Sequence, residues 1–554
     1  MSATMPTVRR PPTPRLIGLL TSTDHKHVGL LVFLASFAFF VLGGLLAMLM
    51  RAELAAPGMQ VVSEDTYNQV FTIHGSTMFY LFGAPMVLGA GLYLVPLQIG
   101  ASAIQWPRLA LAGFWMLVTG GLIMYAGFFT TQGAGKAGWT AFDPLSDSSA
   151  QGGSGMDLWI IGVTLATVAA ILWAACILAT ILRRRAPAMT MMRLPLFSWG
   201  QVAACLMTLA AFPALVLAMT LLYIDRNAGD VFTNPGGPVG YLHLFWFYGH
   251  PVVYVLFFPA LLAAGEALAV SSNKRWWGYK FLVGSVLAFA ALSMAVWGHH
   301  MFTMSTVANR YFALTTTAIL VPAGIEYFDS LATMWRGRIV FRTSMLFALG
   351  FLGLFLIGGL SGIFIASPPL NYHVHDTYFI VGHFHYTLFG GVVMGMFAGI
   401  YHWFPKVTGR LLDERLGKAH FWLLFVGAAA TFIPMFFLGH DGMVRRVANY
   451  PDKPAWQVLN IVASVGAYVI LLGMAIFVVN VLRSLRVGRP AGNDPWMGHT
   501  LEWSTTSPPP PHNFDAVPPV RSYAPLMDLR ESGELDDEGR FTARPRRTPE
   551  GTPS

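Results

Sequence analysis

The chain has 554 residues, of which 55% are hydrophobic and only 11% charged. That balance excludes an ordinary soluble enzyme and describes a polytopic membrane protein. The net charge of +8 reports orientation in a bilayer, and no nucleic-acid partner is expected from it.

Residues 1–27 are polar and proline-rich, and they are expected to be a cytoplasmic N-terminal segment without a cleavable signal peptide. Apolar segments of spanning length follow at 28–50, 68–98, 108–130, 156–182, 195–223 and 241–268. Six more lie at 278–302, 311–334, 343–366, 376–404, 419–439 and 456–482. They predict an all-α membrane protein with twelve transmembrane helices, filling residues 28–484. Basic residues crowd alternate connections, among them Arg183, Arg184, Arg185, Lys274, Arg275, Arg336 and Arg338. The other connections hold only Arg51, Lys136, Arg226, Arg310, Arg445, Arg446 and Lys453. This bias predicts both termini on the cytoplasmic side. Residues 485–554 lack apolar periodicity and read as a cytoplasmic tail rich in proline and charge, draped over the inner surface or disordered. Cys176 and Cys205 stand singly in apolar runs, as core thiols do. No cysteine-ligated iron–sulfur, zinc or dinuclear copper centre is therefore expected in the chain itself.

Six histidines at the ends and centres of these helices carry the chemistry: His74, His250, His299, His300, His383 and His385. One imidazole in a helix is ordinarily a satisfied structural group. Six at a common depth in the outer half of the bundle point to bound metal. His250 and Tyr254, four apart, share a helical face. His299 and His300 are adjacent and splay by about 100°, which two ligands on one ion can use. His383 and His385 are two apart, about 200°, so they serve different centres. His250, His299 and His300 can form a three-imidazole site that suits copper or zinc. His74 with one of the 383/385 pair can make a six-coordinate haem. The other can hold a second haem with an open position facing the metal.

At these residues the chain resembles subunit I of the haem–copper oxidases, in the main cytochrome c oxidase branch. The resemblance runs over most of residues 20–515. It includes STDHKHVG at 22–29, RAELAAPG at 51–58, HGSTMFY at 74–80, GWTAF at 138–142 and WFYGHPVVY at 246–254. It continues through WGHHMFT at 297–303, HDTYFIVGHFHY at 375–386, HWFPKVTGR at 402–410, DGMVRRVANYP at 441–451 and LEWSTTSPPPPHNF at 501–514. The resemblance implies His74 and His385 as axial ligands of a low-spin haem and His383 as the proximal ligand of a high-spin haem, both of the a type. It implies His250, His299 and His300 as copper ligands, with Tyr254 covalently joined to a copper-ligand histidine. Arg445, Arg446 and Trp139 would contact haem propionates, and Arg51 a haem formyl group. His375 and Asp376 would share a magnesium with a partner. The implied activity is reduction of dioxygen to water in the plasma membrane of a bacterium. Electrons would come from cytochrome c through a subunit II with a dinuclear copper site, with subunit III as a further partner.

The departures from the family pattern concern protons. Val252 stands where a glutamate is usual, Tyr248-Gly249 keeps only half of a tyrosine–serine alternative, and Ala103, Ala110 and Leu111 replace polar channel residues. In the second channel Glu326 takes the place of the usual lysine, while Thr316 remains. Valine and alanine carry no protons, so Glu326 is the expected relay, and Glu266 is expected at the interface. Reduction of nitric oxide to nitrous oxide on the same scaffold is the alternative, since it needs fewer protons; Tyr254 favours dioxygen. A transporter without redox chemistry would show internal repeats, and none is apparent.

Overall fold

The computed structural model describes residues 15–229, 233–304 and 307–536. Residues 1–14 of the expected N-terminal segment and 537–554 of the expected tail lie outside the described residues. Among the described residues the chain is helical, and β-structure is confined to isolated bridge positions, including the pairs Thr377–Val444 and Arg410–Pro490.

Eleven helices there are long and apolar enough to cross a membrane. They are α1 (His25–Glu53), α2 (Glu64–Gln98), α3 (Pro107–Phe129), α4 (Gly155–Arg183), α5 (Leu196–Ala228) and α6 (Gly237–Ser271). After a shorter helix, α7 (Tyr279–Ser293), come α8 (Asn309–Met334), α9 (Thr343–Ala366), α10 (Tyr378–Thr408), α11 (Glu414–His440) and α12 (Pro454–Val487). The expected span at 278–302 is where sequence and structure part. Fifteen residues of α7 reach about 22 Å, short of the ~30 Å hydrocarbon core. The chain then unwinds and re-forms a 3₁₀ turn, Trp297–Met301. Gly298 sits in that turn because the Phe312 ring fills the place its Cβ would take.

Side-chain caps set several helix starts. Asp24 accepts from the Lys26 N–H, Ser63 from Thr66, Thr377 from Phe379, and Asp413 from Arg415 and Leu416. Consecutive helices pack side by side, and α12 returns to α1. The windows of α2 and α6 are almost wholly enclosed, whereas α1 and α8 face outward. Close approach fixes α6 in the middle. A Cβ on Gly200 of α5 would lie 2.8 Å from the Phe258 carbonyl oxygen, and one on Gly395 of α10 would lie 2.6 Å from that of Ala260. Small residues let backbones touch where lipid supplies no hydrophobic drive between helices.

Residues 494–536 lie across the end of the bundle where α1 begins and α2 and α10 finish. Asn513 accepts from Lys26 Nζ (2.8 Å), meets His25 Nε2 (3.1 Å) and donates to the Ala101 carbonyl (2.7 Å). Lys406 Nζ donates to the Thr505 carbonyl at 2.7 Å, Tyr523 stacks on Tyr279 at 4.1 Å, and Arg275 pairs with Asp528 and Glu531. The cap also buries Leu501, Trp503, Leu526 and Leu529, but these apolar anchors are too scattered along the chain for hydrophobic periodicity to announce it. The energetics of its contacts differ. Asn513→Ala strips buried His25 Nε2 of its partner and removes one of three oxygens around Lys26 Nζ, the others being on Asp24 and Pro511, which costs about 1–3 kcal/mol. Arg275→Ala removes a partly exposed ion-pair cluster worth about 0–1 kcal/mol. Thermal unfolding of the detergent-solubilised protein is expected to show the larger midpoint loss for Asn513→Ala; equal midpoints would contradict this ranking.

Candidate metal centre

On α6, Trp246, His250 and Tyr254 recur every four residues and share one face. The His250 and Tyr254 ring centroids are 4.7 Å apart. The unwinding after α7 changes the geometry of the histidine pair: a 3₁₀ turn advances about 120° per residue rather than the 100° of an α-helix. It brings His299 Nε2 to 3.1 Å from His300 Nε2, and His250 Nδ1 lies 3.2 Å from the same His300 atom. Nitrogens bound at about 2.0–2.1 Å around one tetrahedral ion stand roughly 3.3 Å apart, so the cluster is spaced for a metal. Among the described residues these are the histidine, cysteine and carboxylate side chains that converge in a group of three. Two supports fix the rings: His299 Nδ1 meets Thr316 Oγ1 at 2.9 Å, and His300 stacks on Trp246 at 3.9 Å and 6°. His250 Nε2 is buried and has no hydrogen-bond partner.

The other three imidazoles share one arrangement. His74 Nδ1 donates to the Gly43 carbonyl (2.8 Å), His383 Nδ1 to Gly358 (3.1 Å) and His385 Nδ1 to Val381 (2.9 Å). A carbonyl can only accept, so the proton sits on Nδ1 and the Nε2 lone pair is free to bind iron. His385 lies near His74, while His383 lies near His250 and His299. The 200° separation on α10 therefore sends its histidines to opposite sides: His383 to α9 and the three-imidazole cluster, His385 against Phe432 of α11, stacked at 4.4 Å. All three are deep in the bundle, yet each keeps accessible surface, as side chains lining an internal space do. Just past His74 and past His385 the helix widens into a π-turn, Thr77–Gly83 in α2 and Leu388–Val393 in α10. Such bulges recur at functional sites.

Above this space stand the arginines. Arg51 donates to the Asn460 carbonyl (2.8 Å) and side chain (3.0 Å) and to Ser464, yet its Nη1 is buried without a partner. Arg445 pairs with Asp376, and its Nε is likewise unpartnered. Arg446 reaches Thr140 Oγ1 at 3.3 Å. Burial and the adjacent Arg445 charge pull Arg446 down to about 10, which leaves it a cation at neutral pH. Two neighbouring guanidiniums thus share one carboxylate, and the site is short of negative charge. Burial opposes ionisation of Asp376, but Arg445, with His375 and Arg446, holds its carboxyl below the usual range. Trp139 stacks on Phe79 at 4.1 Å and meets Trp246 edge-on. His375 Nε2 and Asp376 Oδ2 are 3.8 Å apart, two donors that fall short of a cation's coordination shell.

The acids divide differently from expectation. Glu326 is 2% exposed on α8; its Oε1 lies 3.4 Å from Ser285 Oγ, and its Oε2 has no partner. Glu266, expected at the interface, is 3% exposed and accepts from the Phe197 N–H at 3.3 Å, beside Gln98 and Glu502. The cap of residues 494–536 covers it, which a local reading of α6 could not show. Val252 and Ala110 are fully buried. Sequence reasoning missed Trp246 as the support of His300, although its place four residues before His250 was a legible signal. It also missed Gly43 and Gly358, whose carbonyl roles leave no trace in residue type.

Comparison with known proteins bears on the whole chain. Residues 27–469 match the family model described as Cytochrome C and Quinol oxidase polypeptide I. The chain is 47% identical over 515 residues to cytochrome c oxidase subunit 1 of Corynebacterium efficiens, covering 92% of this chain and 89% of that one. It is 45% identical over 515 residues to cytochrome c oxidase subunit 1 of Corynebacterium glutamicum, covering 92% and 88%. Its fold is similar to a cryo-EM structure of a heme-copper terminal oxidase dimer, with a TM-score of 0.74, 20% identity, and coverage of 92% of this chain and 90% of the other.

Removing the support of His299 tests the geometry of the cluster. Thr316→Val keeps the side chain's shape and removes its hydrogen bond. Metal affinity, measured by chelator competition, is expected to fall by about 10–100-fold. Unchanged affinity would show that Thr316 does not orient His299.

Proposed function

The chain belongs to the Cytochrome C and Quinol oxidase polypeptide I family, a catalytic oxidoreductase subunit of the haem–copper oxidases, and on that premise we propose that it reduces dioxygen to water in a bacterial plasma membrane. The observation that carries this reading is the three-imidazole cluster beside His383. His250 Nδ1, His299 Nε2 and His300 Nε2 would hold copper. His383 Nε2 would hold a high-spin haem facing it, and His74 and His385 a low-spin haem, both of the a type. When bound, these groups supply electron transfer and dioxygen chemistry.

The protein's own share is placement. The carbonyls of Gly43, Gly358 and Val381 fix the tautomer of each haem-facing histidine. Arg445 and Arg446 lack enough anionic partners, which supports haem propionates as the missing charge; Trp139 lies on the same face of the space. The free Nη1 of Arg51 would donate to a haem formyl group. Tyr254 lies against His250, whose buried Nε2 is free, and this supports a covalent link between them. His375 and Asp376 would take a magnesium whose shell a partner completes.

Electrons would come from cytochrome c through a second subunit with a dinuclear copper site, with a third subunit alongside. The 3₁₀ turn Trp297–Met301 continues α7 by about 10 Å, which supports a twelfth crossing and both termini on the cytoplasmic side. Residues 28–484 form the bundle in this reading. Val252 and Ala103 offer no ionisable group to the first proton route, so protons would arrive through Glu326. Nitric oxide reduction is not favoured, because the relatives matched along nine-tenths of the chain are named cytochrome c oxidases.

The purified complex decides between the gases. Steady oxygen consumption with reduced cytochrome c is expected, and nitric oxide turnover should be minor. Rapid nitric oxide consumption with negligible oxygen uptake would overturn the proposal.

A further inference from the structure

Helix α8 carries a second buried acid that the family pattern does not explain. Asp329 lies three residues after Glu326, on the same helical face. It is 2% exposed, and its Oδ2 has no hydrogen-bond partner. Glu326 deeper in the helix is equally enclosed, with an unpartnered Oε2. A buried polar group without a partner costs free energy that packing does not return. Ser330 and Thr333, the other buried polar residues here, bond to the helix's own carbonyls, so two carboxyls with unpartnered oxygens one turn apart need a reason.

The surroundings give one. Asp329 sits at the turn joining α6 to α7. Gly278 there has φ +69°, and a Cβ on it would stand 2.9 Å from Asp329 Oδ1. A side chain at 278 would therefore displace the carboxyl. Lys274 of the same turn donates to the Ala332 and Trp335 carbonyls, which places the charged end of the bundle within two turns of Asp329. Glu326 points the other way along the path, toward Ser285 of α7, whose hydroxyl also donates to the Leu282 carbonyl at 2.9 Å. One turn beyond Ser285, Phe289 packs on Tyr254 at 4.7 Å. The order from the charged end inward is Asp329, Glu326, Ser285 and then the metal cluster.

We propose that Asp329 is the uptake carboxyl of this proton route, charging Glu326 from the inner aqueous face. The inference rests on the relay role given to Glu326 above. The step moves one proton and no electrons. The neutral Asp329 carboxyl releases its proton to the Glu326 carboxylate, and water at the end of the bundle restores it. Asp329 acts through Glu326 and touches no cofactor.

The test compares Asp329→Asn, Asp329→Glu and Glu326→Gln in the purified holoenzyme, with haem spectra recorded for each. For Asp329→Asn, kcat for oxygen reduction is expected to fall about tenfold or more. KM for the electron donor and both haem spectra should stay unchanged, and Asp329→Glu should recover most of the loss. Wild-type kcat in Asp329→Asn beside a slow Glu326→Gln overturns the proposal and leaves Glu326 as the relay. Wild-type kcat in both removes the route itself. An equal loss in Asp329→Asn and Asp329→Glu, or altered haem spectra, assigns Asp329 a structural role and also overturns the proposal.

Discussion

An imidazole inside an apolar bundle must satisfy both of its nitrogens, and the rest of this structure follows from how six of them do so. At three the inner nitrogen is committed to a backbone carbonyl, from Gly43, Gly358 or Val381, which leaves the outer lone pair free. At the other three the nitrogens turn toward one another at spacings suited to a shared ion. A purely structural histidine would close this account within the protein. Here three nitrogens stand at metal-ligand spacing and three more lone pairs are left free. The same shortage appears in charge, since Arg445 and Arg446 lean on a single carboxylate.

Helix geometry bends to this demand. The α7 helix ends early and a 3₁₀ turn converges His299 and His300, and α2 and α10 each widen just past His74 and His385. The enclosed position of α6, held by glycine contacts from α5 and α10, keeps His250 rigid relative to both. One histidine of the cluster therefore stands on a deeply enclosed helix, and the other two on a short 3₁₀ turn packed against it.

Much of this was legible in residue spacing. The four-residue interval between His250 and Tyr254 gave their shared face, and the two-residue interval between His383 and His385 gave their opposite ones. Apolar runs located the helices because lipid forces long uninterrupted stretches. What spacing could not show depends on partners distant in sequence. The glycine at 298 answers to the Phe312 ring, Glu266 is enclosed beside Phe197 and Glu502 from distant segments, and the isolation of Arg51 Nη1 follows from where α12 places Asn460 and Ser464. The cap itself combines polar contacts with a few scattered apolar anchors, such as Leu501 and Leu529, which form no periodic pattern.

Combined metal analysis and haem extraction on the purified chain, with and without His385→Ala, probes the central claim most directly. The account predicts two haems and one copper per wild-type chain, and loss of one haem with the copper retained in the variant. A haem-free protein, or zinc in place of copper, would contradict it.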